Sequence, residues 1–264
     1  MIHIDVHILA SGSDGNSTLV VSGSTAILID AGLGPRVLRK ALRSLGYDYS
    51  DLAACLLTHE HSDHIAGLER GSYPSLPLVA NRLTHLSAEE IYPTLRRYQW
   101  IDLPLGAACQ IGEITAESFA TSHDAACSVG YRLTAGDRVL IYATDLGLSS
   151  SVLDDSLGEA DYLVIEANHD ETMLRTGPYP DYLKKRVASK RGHLSNRQTA
   201  TLLAHHLTPK TRWCALAHLS RINNTPCIAL QTVASALIEV DALHPDFYLA
   251  AAPSHAAGGN LSLY

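Results

Sequence analysis

The sequence lacks any apolar run able to cross a membrane. Its longest uninterrupted stretches, such as Leu52 to Leu57, run to about six residues, against the roughly 18 that a spanning helix needs. It lacks an apolar block at the start: from Met1 to Leu9 polar and apolar residues alternate, so no signal peptide is expected. It lacks a cysteine framework. The five cysteines (Cys55, Cys109, Cys127, Cys214 and Cys227) are odd in number, scattered and without a C-x-x-C pair. That argues against a disulfide scaffold and against a thiolate zinc site, and leaves small buried hydrophobes in a reducing, cytoplasmic setting. Repeats, low-complexity tracts and linker-like runs are missing as well, so one domain over 1–264 is expected. Hydrophobic residues make up 46%, which is enough for a core and excludes a disordered chain.

What is present is unevenly charged. The net charge is −7, but residues 1–181 hold 11 basic and 24 acidic side chains, and residues 239–264 hold three acids and no base. Between them, residues 182–238 carry nine cations and no anion: Lys184, Lys185, Arg186, Lys190, Arg191, Arg197, Lys210, Arg212 and Arg221. An all-basic stretch in an acidic protein points to an anionic partner; a solvated basic face is the plain alternative. Histidine, at 14 residues, is in excess, and only position can say whether that means metal or proton chemistry.

The pattern along the chain is mixed α/β. Ile2, Ile4, Val6 and Ile8 alternate with polar residues and read as a half-buried strand. Thr18–Val21 and Ala26–Ile29 read as strands joined by a turn at Ser22-Gly23-Ser24. A helix is predicted from Pro35 to Gly46, with Leu38, Ala41, Leu42 and Leu45 on one face. Ala53–Leu57 is a short buried strand. Further strands are predicted at Ala107–Gln110, Ile114–Phe119, Val129–Leu133, Val139–Tyr142, Leu163–Glu166 and Ala215–Ala217. Ser195 and Gln198 match a capping box, so a helix begins at Asn196 and runs to about His206. Thr225-Pro226 opens a last helix that carries Leu230, Val233, Ala234, Leu237 and Ile238.

The most informative segment is Thr58-His59-Glu60-His61-Ser62-Asp63-His64, directly after an apolar strand. His59 and His61 alternate, so on an extended turn they project to one side and can grip one ion. Asp63 and His64 open the next helix and can turn towards a second. Imidazole and carboxylate together suit zinc, manganese or iron. A polar loop with chance histidines is the bland alternative, and four potential ligands in six residues speak against it.

This H-x-H-x-D-H pattern resembles the signature of the metallo-β-lactamase superfamily. The resemblance implies an α/β fold, a four-layer αββα sandwich with a dinuclear metal site at one edge of its sheets. It also supplies the remaining ligands: His123 in Ser122-His123-Asp124, Asp145 in Ala143-Thr144-Asp145, and His218 in Ala217-His218-Leu219. Carried over, site one is His59, His61 and His123, site two is Asp63, His64 and His218, and Asp145 bridges. Ser11-Gly12-Ser13-Asp14-Gly15-Asn16-Ser17, Asp30-Ala31-Gly32, Asn168-His169-Asp170, Gly192-His193-Leu194-Ser195-Asn196 and Asn223-Asn224-Thr225-Pro226 are similar to the YycJ/WalJ branch, related to the RNase Z nucleases. Asp14 departs from the small residue expected there. The resemblance implies a 5′→3′ exonuclease with two divalent ions, acting on DNA rather than RNA, linked to mismatch repair, and with a homodimer as an option.

Asp63 and His193 are the candidate catalytic residues. His193 lies two residues before the predicted N-cap Ser195 and beside Lys190 and Arg191. A helix N-terminus next to cations suits a phosphate, and an imidazole there can protonate a leaving oxygen. Candidate substrate contacts are Lys190, Arg191, Ser195, Asn196, His169 and Asn223, with His169 balanced between contact and structural bonding. Asp30 reads as a carboxylate that supports ligands rather than as a ligand. His3, His7, His85, His205, His206, His244 and His255 lack metal spacing and read as structural or surface. Tyr179, Tyr182 and Trp213 could stack on bases, but packing is the simpler reading.

Two other classes compete. A small-molecule hydrolase acting on a thioester, lactone, β-lactam or small phosphodiester is allowed by the same motif, because fold does not fix function. A β-lactamase is disfavoured by the missing export signal, and glyoxalase-like enzymes by their Gly-His-Thr context at the third ligand. A non-catalytic metal module is disfavoured by the complete ligand set. Charge geometry discriminates: cations flanking the cleft favour a polymer, and cations scattered away from it favour a small substrate.

Overall fold

The structure, a computed structural model, describes residues 3–71, 73, 75–254 and 261–263. Ile2 of the first predicted strand and His255 lie outside them. The first sheet contains β1 (Asp5–Ala10), β2 (Ser17–Ser22), β3 (Thr25–Ile29), β4 (Leu52–Leu56), β5 (Leu78–Ala80) and β6 (Trp100–Asp102). The second contains β7 (Ala108–Ile111), β8 (Ile114–Ala120), β9 (Val129–Ala135), β10 (Arg138–Ala143), β11 (Tyr162–Glu166), β12 (Trp213–Ala217) and β13 (Tyr248–Ala251). A last strand, β14 (Leu261–Leu263), closes the first sheet by pairing antiparallel with β1. The helices are α1 (Pro35–Ser44), α2 (Ser62–Arg70), α3 (Arg82–Ile91), α4 (Ser151–Leu157), α5 (Glu171–Thr176), α6 (Asp181–Val187), α7 (Asn196–His206) and α8 (Pro226–Glu239).

Three apolar clusters stack these elements into four layers. Between the sheets lie Val6, Ile8, Ile27, Ile29, Tyr131, Leu133, Val164 and Trp213 among others. On the outer face of the first sheet, Leu38 and Leu42 of α1, Ile65 and Leu68 of α2 and Ala88 of α3 meet Leu19, Leu28 and Cys55. On the outer face of the second, Leu153 of α4, Leu203 of α7 and Val233 of α8 meet Ile141, Leu163 and Cys214. This is the αββα sandwich. It corrects one expectation: β1 is not half-buried but buried from Val6 to Ala10, because its sheet is covered on both faces. Trp213 is likewise core, not a stacking surface. Cys55 and Cys214 are buried and unbridged, whereas Cys227 is exposed.

Local chemistry starts the helices where expected. Gln198 N donates to Ser195 Oγ at 3.2 Å, and Ser195 N donates to Gln198 Oε1 at 2.8 Å, completing the capping box of α7. Ile228 N donates to Thr225 Oγ1 at 3.2 Å and caps α8. Among the described residues no helix is long and apolar enough to cross a membrane.

The strand directions position the site. From β3 through β6 and from β10 through β13 the pairing is parallel. Parallel strands deliver their C-terminal ends to one edge, where open α/β sheets present ligand sites. Here those ends are followed by Asp30 after β3, Thr58 and His59 after β4, Asp145 after β10 and His218 after β12, while Glu166 is the last residue of β11.

Candidate metal centre

The site is assembled from strand ends that stop abruptly. Asp30, Asp145 and His218 all adopt left-handed backbone, with φ of 57°, 56° and 55°. Asp and His tolerate this region better than most side chains. It turns each chain sharply out of its strand and into the cleft. Gly32 allows the loop after β3 to lie against the first turn of α2, because a Cβ there would collide with the Asp63 carbonyl.

A chain of hydrogen bonds fixes which imidazole nitrogen faces inward. Thr58 N and Thr58 Oγ1 donate to the two oxygens of Asp30, each at 2.9 Å. With its proton spent, the Thr58 hydroxyl accepts from His59 Nδ1 at 3.1 Å. His64 Nδ1 donates to Asp30 Oδ2 at 2.7 Å, and His218 Nδ1 to Glu166 Oε1 at 2.8 Å. His123 Nδ1 donates to the Gly192 carbonyl at 3.2 Å. Four rings thus hold their Nδ1 protons in the fold and turn Nε2 lone pairs to the centre, as metal-binding histidines do.

The predicted ligands converge. His59, His61 and His123 offer nitrogens within 4.8 Å of one another, and so do the ligand atoms of Asp63, His64 and His218. Asp145 lies between the two groups: Oδ2 is 3.3 Å from His64 Nε2 and Oδ1 is 3.7 Å from His123 Nε2. His59 Nε2, His218 Nε2 and Asp145 Oδ2 are buried without a hydrogen-bond partner among the described residues. Unpaired buried lone pairs aimed at one point are costly unless a cation takes them, so these residues fit a pair of divalent ions.

The electrostatics show how much negative charge the site concentrates. Burial opposes charge on His64, but Asp30, Asp63 and Asp145 outweigh it and hold its pKa well above the ordinary imidazole range. His218 is raised in the same way, against burial, by Asp145, Asp63 and Glu166. Burial would raise Asp145, yet His218 and His64 hold its carboxyl well below the usual range. Glu166 is pulled down to about 2, against its burial, by His193 and His218. The pocket is built of ionised carboxylates that call for positive charge.

Glu166 was not among the predicted site residues. Its Oε1 accepts from both His193 Nδ1 and His218 Nδ1 at 2.8 Å, and its Oε2 accepts from the backbone of Leu146 at 3.0 Å and Leu194 at 3.2 Å. The available signal was a carboxylate closing the apolar run Leu163-Val164-Ile165, as Asp30 follows Ile27-Leu28-Ile29. Asn16, within the Ser11–Ser17 segment, also reaches the site: its Nδ2 lies 3.2 Å from Asp63 Oδ2 and 3.1 Å from His64 Nε2. His193 itself sits at the cleft, its ring centroid 5.1 Å from those of His123 and His218, with 17% of its side chain exposed.

The predicted substrate contacts divide. Lys190 is exposed. Arg191 instead turns its guanidinium onto the His123 carbonyl at 3.0 Å, bracing a ligand loop. Ser195 is buried in the capping box, and Asn196 exchanges amide bonds with Asn224 at 2.9 and 2.8 Å. Asn223 is fully buried. Ser195 and Asn196 spend their side chains on bonds within the fold, whereas Asn223 Oδ1 is buried without a hydrogen-bond partner among the described residues. His169 is also buried, with its carbonyl accepting from Asn196 N at 2.8 Å and its Nδ1 without a partner among the described residues.

The basic stretch divides too. Ser122 Oγ donates to the Lys190 carbonyl at 2.6 Å, and Arg186 pairs with Asp124 at 2.6 Å, so this segment borders the His123 loop. Lys210 pairs with Asp161 at 3.4 Å, just before β11, and Arg212 immediately precedes β12. At about 3.3 Å per residue, that is roughly 16 Å from the Glu166 end. The nine cations do not all flank the cleft.

With this geometry in hand, a family model described as a β-lactamase superfamily domain matches residues 25–213. The chain belongs to the β-lactamase superfamily. Exodeoxyribonuclease YycJ of Bacillus anthracis is 36% identical over 233 residues, 88% of either chain. Exodeoxyribonuclease WalJ of Streptococcus pneumoniae is 36% identical over 238 residues, 89% of this chain and 88% of that one. Among solved structures, the metallo-β-lactamase fold protein YhfI of Bacillus subtilis superposes with a TM-score of 0.70 at 19% identity, covering 99% of this chain and 100% of the other. The superfamily fold is therefore established by sequence and by shape.

Proposed function

We propose that this superfamily member is a metal-dependent phosphodiesterase, a 5′→3′ exonuclease acting on DNA. The observation that carries the reading is the 36% identity to proteins named exodeoxyribonucleases, which extends across 88% of the chain and so includes every ligand-bearing strand end. The site supports it. Held by His59, His61 and His123, by Asp63, His64 and His218, and by Asp145 between them, two divalent ions would supply Lewis-acid stabilisation of a phosphodiester under attack. Zinc, manganese and iron all suit this donor set.

The chain's own residues do the rest. Glu166 fixes the His193 ring by its Nδ1 and leaves the other nitrogen to protonate the departing oxygen. Asp63 keeps 22% of its side chain exposed, and against its burial His64 and His218 hold its carboxyl well below the usual range, so it stays ionised and can orient the attacking water by accepting a hydrogen bond from it. Lys185 and Lys190, both exposed beside the His123 loop, draw in the strand. The reading extends to one domain over 1–264, a cytoplasmic location and a role in mismatch repair. The test is to incubate purified protein with 5′-phosphorylated and 5′-hydroxyl strands of DNA and RNA, adding Mn²⁺ or Zn²⁺ in turn. Release of mononucleotides from the 5′ end of DNA is expected. Activity confined to small esters would move the assignment to a small-molecule hydrolase.

A further inference from the structure

A cavity of about 920 Å³ opens where the loop after β12 meets the end of β13. It starts at Leu219 and Ser220, immediately beyond the ligand His218. Ala251, Ala252 and Pro253 give it an apolar wall, and Arg221 is the one cation among its described lining residues. The wall is tied to the metal centre. Ser11 N donates to the Pro253 carbonyl at 2.9 Å while Ser11 Oγ accepts from His218 N at 2.8 Å. Arg221, with 41% of its side chain exposed, is ion-paired with Asp14, which is 53% exposed. Asp14 is the position at which the sequence departs from the small residue expected, and its loop also supplies Asn16 to Asp63 and His64.

A concave, mostly apolar pocket with one charged group, beside a centre for phosphodiester chemistry, has the character of a nucleoside subsite. A carboxylate already on the guanidinium holds it in place until a phosphate takes over, since both anions suit the same fork of donors. We propose that this cavity holds the nucleoside next to the scissile phosphodiester, and that Arg221 exchanges Asp14 for its phosphate. The assignment rests on the nuclease reading for its substrate, but its test does not depend on turnover.

Calorimetry of a deoxynucleoside 5′-monophosphate binding to the full-length protein is the direct measurement. Arg221→Gln should weaken binding about tenfold, the value of one charge-assisted bond. Asp14→Ser should tighten it by removing the competing carboxylate. Ala251→Phe fills the cavity, leaves both charges in place, and should abolish binding. Circular dichroism spectra and thermal unfolding midpoints matching the wild type show that the three variants fold. Absence of nucleotide binding by the wild type, or wild-type affinity in both Arg221→Gln and Ala251→Phe, overturns the assignment. A protein that binds the nucleotide with this dependence yet cuts no DNA overturns the nuclease reading and leaves the subsite standing. One that degrades DNA with unchanged KM in all three variants does the reverse.

Discussion

Asp30 touches no predicted substrate position, yet its replacement by Asn should cripple one half of the metal centre. The carboxylate is fully buried and accepts three hydrogen bonds: Thr58 N and Thr58 Oγ1 at 2.9 Å and His64 Nδ1 at 2.7 Å. Asn fits the volume and tolerates the φ of 57°. Its oxygen can still serve Thr58 N, but its amide then meets His64 Nδ1 with a donor. The ring must shift its proton to Nε2, the nitrogen that faces Asp63 and Asp145. Loss of such an outer partner typically weakens metal binding about 10–100-fold, or roughly 1.4–2.7 kcal/mol. Asp30→Ala should do more. It strands His64 Nδ1 and Thr58 N in the interior at about 1–3 kcal/mol each, and adds about 1–2 kcal/mol for Ala in left-handed backbone. Against a total stability of about 5–15 kcal/mol, that threatens folding. Metal titration against a competing chelator, with elemental analysis, separates the two variants. Two ions bound by Asp30→Asn at wild-type affinity would refute the tautomer argument.

Asp145→Ala should lose the shared oxygen pair, leave fewer than two ions per chain on elemental analysis and abolish turnover; full occupancy with wild-type rate would count against a bridging role. His193→Ala should retain both ions while lowering phosphodiester hydrolysis about 10²–10⁴-fold, and loss of metal instead would assign the residue to the ligand scaffold. Because the pKa values of His64 and His218 are raised, their contribution to stability is present at low pH and lost as pH rises through those values. Ions need neutral imidazoles, so the gain in Tm from added Mn²⁺ or Zn²⁺ over chelator-treated protein should widen with pH; a constant gain from about pH 6 to about pH 9 would sink this. Lys185→Glu with Lys190→Glu should weaken single-strand binding and flatten its log–log salt slope by about 0.7 per lost phosphate contact, while a small phosphodiester reacts unchanged. Equal losses on both substrates would show that this lip is not a strand track.

Four ligands were legible as a local cluster, His123, Asp145 and His218 came only through the family resemblance, and of the supporting carboxylates Asp30 was read without its partner while Glu166 was missed. Metal ligands cluster locally, as in His59-Glu60-His61-Ser62-Asp63-His64, and strong donors in a short span are conspicuous. Their support is long-range: Asp30 reaches His64 across 34 residues and Glu166 reaches His218 across 52. No local pattern encodes such pairs. The same contrast runs through the fold. Strands such as β8 to β10 and the capped helices α7 and α8 carry periodicity and cap signals. The three-residue strands β5 and β6 are too short to show a period and exist because β4 offers an edge to β5 and β5 in turn offers one to β6. The basic stretch misled for a related reason. Nine cations in sequence order look like one surface, but β12 carries the chain from Arg212 at one end of the sheet to His218 at the other.

The left-handed residues join the two sheets to the site. Asp30, Asp145 and His218 are a carboxylate that aims a ligand, a carboxylate that faces both ligand groups and an imidazole, and each ends a strand at φ near 55°. Side chains in that region cost of order 1–3 kcal/mol each, although Asp and His sit at the lenient end. The cost is tolerable only because the strands on either side cannot move. Ile27 and Ile29 of β3, Leu140 and Tyr142 of β10 and Ala215 and Ala217 of β12 are locked in the apolar layer between the sheets. The parallel ladders then fix where each strand stops. A ligand carried by a free loop would have to be ordered when the ion arrives, at roughly 1–2 kcal/mol per residue of backbone entropy. Here the sandwich meets that cost on folding, and the strained turns convert the rigidity of two sheets into the placement of single atoms.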